Sequence, residues 1–287
     1  MTGRPTSLTA ASCAVLHCAD PAAKVRLSAA VAADWRAGYI ADIGDTQPPG
    51  RPARPVRPAL LAPKHVKRRR ISAAPAGRIA LLHALAHIEL NAIDLAWDLI
   101  ARFTGTPGLP RAFFDDWVGV AAEEATHFAL LNARLAELGA AYGDLPAHDG
   151  LWQAAEATAH DLAARLAIVP LVLEARGLDV TPAMIERLAA AGDTGSAAIL
   201  QTIHDEEIGH VAAGRRWFEH CCREAGREPV PAFHALVRRY FRGLVKAPFN
   251  DASRALAGLT PDYYRPLAEA EPAVEASVEP HLSTGSR

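Results

Sequence analysis

Cysteine is scarce in this chain, and none of its four thiols, Cys13, Cys18, Cys221 and Cys222, belongs to a CxxC pair. That excludes a rubredoxin-type cysteine pair. Adjacent cysteines cannot readily bridge within a helix, so stability is not expected from disulfides, and a reducing cytoplasm is the expected compartment. The N-terminus lacks a basic start leading into a long apolar run, so no secretory signal is expected. No stretch approaches the roughly 18 uninterrupted apolar residues of a membrane span, which predicts a soluble protein without membrane contact. Convincing strand alternation is also missing, as is any internal repeat of about 20 to 50 residues.

Net charge is small, at -2, but unevenly distributed: residues 1–72 hold twelve Lys and Arg against four Asp and Glu, and the rest is acidic. The basic excess is densest in Lys64 to Arg70, KHVKRRR. Such a run can meet phosphate, in a nucleic acid or a charged substrate, but a solvated linker lying on an acidic partner is the more ordinary reading.

At 287 residues the chain can bury one substantial core and still carry an appendage. Two short helices are predicted over 7–19 and 21–38, the second opened by Asp20-Pro21. Six prolines between Gln47 and Pro63 exclude helix there and predict a linker or strap. From Ile79 to about Phe241 the pattern is helical and rich in Ala and Leu. Breaks at Thr104 to Pro110, Gly139 to Gly150, Gly177 to Pro182 and Gly192 to Gly195 leave four main helices. The 12-residue Gly139 to Gly150 segment could span about 40 Å, nearly the length of the preceding helix, so one long crossover between two hairpins is expected.

The predicted fold is therefore all-α: a ferritin-like four-helix bundle with one long crossover, short N-terminal helices and a C-terminal helix near Pro231 to Val245. The expected organisation is a helical appendage over 1–46, a Pro-rich and basic linker over 47–77, the bundle over 78–225, a helical extension over 226–265 and a disordered tail over 266–287.

Charged residues interrupt the apolar stripes of these helices at matching positions. Leu82, Leu85, Glu89, Ile93, Ala96 and Ile100 share a face within about 80°. His83, His87, Asp94 and Asp98 lie on the other side, facing solvent or another element. Glu124 shares a face with Phe113, Trp117 and Leu131, with His127 at its border. Glu207 shares one with Leu200, Ile203 and Val211, next to His210. Glu-x-x-His spacing puts carboxylate and imidazole on adjacent turns, within reach of one ion. The neighbouring Glu123 and Glu206 point about 100° away. On the third helix Glu174 aligns with Ala163 and Ala167, with Pro170 expected to kink the helix. Glu156 shares that direction but lies about 27 Å along it, too far for the same site.

Glu89 and Glu124 are centred on the first hairpin turn and Glu174 and Glu207 near Ala191, so each pair should meet at a similar depth, although the break at Gly177 to Pro182 interrupts the third helix before the second turn. Four buried carboxylates need compensation, and two divalent cations with neutral imidazoles supply it. This donor set suits iron, or manganese or a mixed iron/manganese pair; zinc stays open.

The segments HALAHIELNAID, VAAEEATHFALL, YGDLPAHDGLW, RLAIVPLVLEARGLDVTP and DEEIGHVAAGRRWF resemble a bacterial family of ferritin-like proteins of unknown function, over most of residues 20–260. More distantly, Glu89, Glu124, His127, Glu174 in LEAR, Glu207 and His210 are similar to the ligand pattern of the di-iron tRNA hydroxylases acting on isopentenylated adenosine. The resemblance implies a two-iron site and supports Glu174 as a ligand. The expected activity is an O2-activating oxygenase or hydroxylase taking a small molecule and O2, with tRNA a weaker candidate substrate. A ferroxidase or peroxide-reducing protein and a non-catalytic metal-binding bundle are the alternatives. A homo-oligomer is compatible with each.

Overall fold

The structure is a computed structural model and describes residues 5–62, 65 and 75–269. Its described elements are helical, with one isolated bridge between Leu60 and Ala147 and no strand among the described residues. The basic run Lys64 to Arg70, His65 apart, lies outside the described residues, as does the predicted tail beyond residue 269.

Two N-terminal helices, α1 (Leu8–Leu16) and α2 (Pro21–Arg36), come first. Asp20 caps α2 by accepting a hydrogen bond from the Ala23 amide at 2.7 Å, with Pro21 in the first turn. An extended arm, residues 41–62, then crosses the molecule. It is pinned by the Ala53 amide to the Leu16 carbonyl at 2.8 Å, Arg54 to Asn91 at 2.7 Å and Arg102 to the Pro49 carbonyl at 3.1 Å.

The long helices α3 (Pro75–Arg102) and α4 (Arg111–Glu137) form an antiparallel hairpin, and α7 (Ala175–Ala190) and α8 (Thr194–Glu224) form a second. Helix α8 runs antiparallel to α4: Ser196 meets Arg134 near one end, and Trp217 meets Asp116 near the other. Between the hairpins the third long helix departs most from expectation. It is divided into α5 (Gly150–Ala157), α6 (Leu162–Ile168), a π-helical segment (Val169–Glu174) and α7. The connection 138–149 does not cross the molecule by itself. It folds back on the start of α3, where His83 accepts from the Gly143 amide at 2.9 Å and His87 pairs with the Tyr142 hydroxyl at 2.8 Å. Helix α5 then carries the chain along α3, with Trp152 against Leu95, until Arg165 of α6 reaches Asp98 at 2.7 Å. The predicted break at Gly177 to Pro182 is also absent, since α7 passes through Pro182. Proline removes one amide donor, but the helix continues through it.

Three further helices, α9 (Pro229–Tyr240), α10 (Asp251–Leu256) and α11 (Pro261–Glu269), close the chain, the first packing on both α6 and α8. Residues 266–269, expected to be disordered, belong to α11, and α9 ends earlier than the predicted Val245.

By length and composition α3 could cross a membrane, yet 78% of its most apolar window is buried within this protein. It also carries Glu89, Asp94 and Asp98, all buried. Asp94 pairs with Lys24 of α2 and with Arg54 of the arm at 3.2 Å, while Asp98 pairs with Arg165 and Arg102. His83, His87, Asp94 and Asp98 thus face other elements rather than solvent.

Lys24→Met should destabilise the fold by about 3 kcal/mol, because Asp94 would stay buried with one cationic partner instead of two. Chemical denaturation checks this, and Lys24→Met combined with Asp94→Leu should recover part of the loss.

Candidate metal centre

Helices α3, α4 and α8 project Glu89, Glu124, His127 and Glu207 inward so that one ligand atom from each lies within 4.8 Å of all the others. His210 completes the cluster from α8, with Nδ1 3.0 Å from Glu124 Oε1 and 3.6 Å from Glu207 Oε2. His127 Nδ1 lies 3.5 Å from both Glu89 and Glu124 Oε2. The two rings sit 5.7 Å apart, one on each side of Glu124, whose two oxygens face different imidazoles. Glu174 enters from the end of the π-segment, whose hydrogen bonds span one residue more than those of an α-helix. The structure thus brings five of the six expected residues into direct proximity, and the sixth lines the same cavity as Glu89, Glu124 and Glu207.

The outward nitrogens of the histidines are held by carboxylates that the helical wheel had directed away. His127 Nε2 pairs with Glu206 of α8 at 2.7 Å, and His210 Nε2 pairs with Glu123 of α4 at 2.8 Å. Each helix therefore orients the other helix's histidine and turns its Nδ1 inward, the arrangement that fixes tautomer and ring direction at metal sites. The sequence carries a signal for this in its repeated Glu-Glu-x-x-His, EEATH at 123–127 and EEIGH at 206–210. A single-helix projection cannot find it, because the contacts run between antiparallel helices.

Around this centre, buried polar atoms lack hydrogen-bond partners: Glu89 Oε2, both oxygens of Glu124, Glu174 Oε2, Glu207 Oε2, and Nδ1 of His127 and His210. Such orphans are rare in folded proteins, and their convergence is what a metal site leaves when only its protein ligands are considered. Burial and mutual contact shift several of these groups, in opposite directions. Burial pushes Glu89 well above the usual carboxylate range, and the Glu124 charge adds to it. Burial also raises Glu174, followed by the charges of Glu207 and Glu124. Burial opposes charge on His127, yet contact with Glu124 and Glu89 pulls it up to about 11. His210 is raised in the same way by Glu207, Glu123 and Glu124 against its burial. For Glu124 burial acts upward too, but contacts with His127 and His210 outweigh it and hold the group low.

An apolar cavity of about 200 Å³ ends on these carboxylates, with Glu89, Glu124, Glu174 and Glu207 at its inner end and α3, α7 and α8 supplying most of its walls. Glu156 lies apart, exposed and paired with Trp152 and Arg51. Cys221 is not part of the site, and burial pushes its thiol up to about 12. Trp97, Trp152 and Trp217 donate their indole N–H groups to Ser28, Glu156 and Asp116, as packed residues do.

The π-segment can approach α8 this closely because residue 214 has no side chain. A Cβ on Gly214 would sit 2.4 Å from Pro170 Cβ.

The protein is thus an all-helical, bundle-like molecule with a buried Glu/His cluster that could hold a metal ion. The chain belongs to the family described as "Protein of unknown function (DUF455)", whose model matches residues 17–265. A relative from Haemophilus influenzae, described as an uncharacterized protein, is 44% identical over 210 residues, covering 72% of this chain and 73% of the relative. No solved structure matches the chain.

Two outcomes follow from this geometry. Gly214→Ala should displace the π-segment, lower stability by about 1–3 kcal/mol and reduce metal content by misplacing Glu174, as thermal melts and metal analysis will show. A ligand nitrogen or oxygen must shed its proton to bind metal. Because His127, His210, Glu89 and Glu174 are all shifted toward their protonated forms, metal uptake should release protons. Affinity should fall as pH drops, which calorimetry in buffers of different ionisation enthalpy measures directly.

Proposed function

We propose that the cluster holds two metal ions, iron in the working protein, inside a ferritin-like four-helix arrangement, and that the protein is an O2-activating oxygenase of a small organic substrate. The observation that carries this reading is the junction of two features: inward-facing, unpartnered carboxylate and Nδ1 atoms, and an apolar cavity that ends on them. Four carboxylates against two divalent ions balance in charge, with both imidazoles neutral, and one Glu from each of two helices with Glu-x-x-His from two others is a known di-iron ligand pattern. Manganese or a mixed iron/manganese pair suits the same donors.

In this reading Glu89, Glu124, His127, Glu174, Glu207 and His210 would hold the ions, with the two oxygens of Glu124 facing different imidazoles. Glu123 and Glu206 hold the histidine rings in the ligating orientation through their Nε2 atoms. The bound pair would supply the redox chemistry of O2 activation, which a protein of ordinary side chains lacks. Hydroxylation in this form inserts one oxygen atom into a substrate C–H bond and reduces the other to water, drawing two electrons from an external donor and two protons from solvent. The protein's own part is to fix the ligands, keep water away through the apolar walls and hold the substrate next to the carboxylates.

The cavity favours oxygenation over iron storage, because hydrated ferrous ions gain nothing from an apolar approach. A tRNA substrate ranks below a small molecule. Residues 78–225 are read as the metal-holding unit, with the preceding arm and helices as its cover.

Protein isolated from its native host should contain about two iron ions per chain. Glu124→Ala and Glu207→Ala should each lose most of that metal while remaining folded by circular dichroism. The iron-loaded protein should consume O2 in the presence of a reductant. Iron oxidation or peroxide loss without any oxygenated organic product would favour the ferroxidase or peroxidase reading, and metal without O2 uptake would leave a non-catalytic binding protein.

A further inference from the structure

We infer that the cavity beside the cluster is a binding site for an uncharged, hydrocarbon-like small molecule, and that Gly177 on α7 keeps it open. The inference deepens the oxygenase reading and rests on it only for the fate of the bound molecule, since the binding itself follows from the cavity.

The walls decide the ligand's chemistry. Helix α3 contributes Leu85, Ile88 and Ala92, and α8 contributes Leu200 and Ile203. The carboxylates at the inner end would repel an anion, or be neutralised by metal and attract no ion at all. Among the described lining residues the one cation, Arg176, is already engaged by Asp179 at 3.3 Å and by the carbonyls of Lys246 and Pro248 at 2.9 Å each. An anionic headgroup would therefore lose its hydration without gaining a free partner. A neutral apolar molecule gains from burial at roughly 25 cal/mol per Å² and places its C–H bonds toward the cluster. At the rim, Ile88 is 42% exposed, a large apolar side chain in water where such a molecule would enter.

Gly177, Thr181 and Met184 lie on one face of α7 and line the same cavity. Glycine inside a helix costs about 1 kcal/mol relative to alanine, so its presence mid-helix calls for a reason. A Cβ built on Gly177 meets nothing within 4 Å. The residue is therefore not required for packing, as Gly214 is. What it preserves is space, and a larger side chain there would extend into the cavity without striking the fold.

The test uses the full-length, metal-loaded protein and a matched pair of probes, N-phenyl-1-naphthylamine and its sulfonated analogue 1-anilinonaphthalene-8-sulfonate, which share a ring system and differ in charge. Equilibrium dialysis measures binding, and metal content is determined on the same samples. The neutral probe should bind the wild type, the sulfonate much more weakly, and Gly177→Leu should weaken neutral-probe binding by about tenfold or more. Metal content should not change. Gly177→Ala, which adds one methyl and suits a helix, should bind with an intermediate affinity and confirms that substitution at 177 is compatible with folding. Equal binding of the two probes, or neutral-probe binding unaffected by Gly177→Leu, overturns the inference. Weakened binding in Gly177→Leu by a protein that proves to hold no metal supports the cavity and removes the oxygenase reading instead.

Discussion

Taking a carboxylate out of water costs several kcal/mol even after relaxation, and α3 does this on two of its faces. Glu89 is 4% exposed, and Asp94 and Asp98 are fully covered. Each needs compensation from a different part of the chain. On the outer face Asp94 draws in Lys24 of α2 and Arg54 of the arm, and Asp98 draws in Arg102 and Arg165. On the inner face Glu89 turns to His127. The N-terminal helices and the Pro-rich arm are thereby electrostatic partners of the central helix, which explains why a segment without secondary structure stays in place. The same pairing lets so apolar a helix carry acidic side chains in the middle of the molecule.

The second constraint is reciprocal. Helices α4 and α8 run antiparallel, and each supplies a Glu that grips the outward nitrogen of the other's histidine. The exchange places both Nδ1 atoms beside Glu124 and gathers carboxylate and imidazole atoms that lack hydrogen-bond partners. No member could be moved to the surface without breaking a contact to the opposite helix. The cluster is therefore a property of the helix pair, and its proposed metal ions would satisfy groups that the fold has already brought together.

The third helix of the layout resolves a conflict between continuity and access. A regular helix through Pro170 would lose an amide bond and crowd the preceding turn. A π-segment absorbs that disruption, and the bare surface of Gly214 on α8 admits it. Glu174 is presented at the end of the widened turn. Immediately after it, α7 lines the apolar cavity together with α3 and α8, with the glycine at 177 adding to its room. Disruption, ligand presentation and pocket thus occupy consecutive turns.

Period-3.6 stripes mark α3, α4 and α8 and the all-helical class, because burial of one face is what keeps an amphipathic helix in place, and the charges interrupting those stripes point to Glu89, Glu124, His127, Glu207 and His210. Asp20-Pro21 marks the start of α2, since capping is local chemistry. Glu174 is harder to place, because Pro170 and the π-segment shift the helical phase by which faces are counted, and the break expected at Gly177 to Pro182 falls upstream instead. The path of the crossover is not legible at all: loop length bounds reach, but the Gly143 amide bond to His83 and the Tyr142–His87 pair decide that residues 138–149 stay at one end while α5 makes the passage. Nor can a single-helix projection assign Glu123 and Glu206 to the histidines, or Asp94 and Asp98 to their cations. The sequence alone determined the helices and the charged positions within their apolar faces, because helical periodicity and capping are local. Only the tertiary structure decided which charges meet. The pairs Lys24–Asp94, His127–Glu206 and His210–Glu123 join residues 70 or more positions apart in the chain, at distances set by helix packing rather than by sequence spacing.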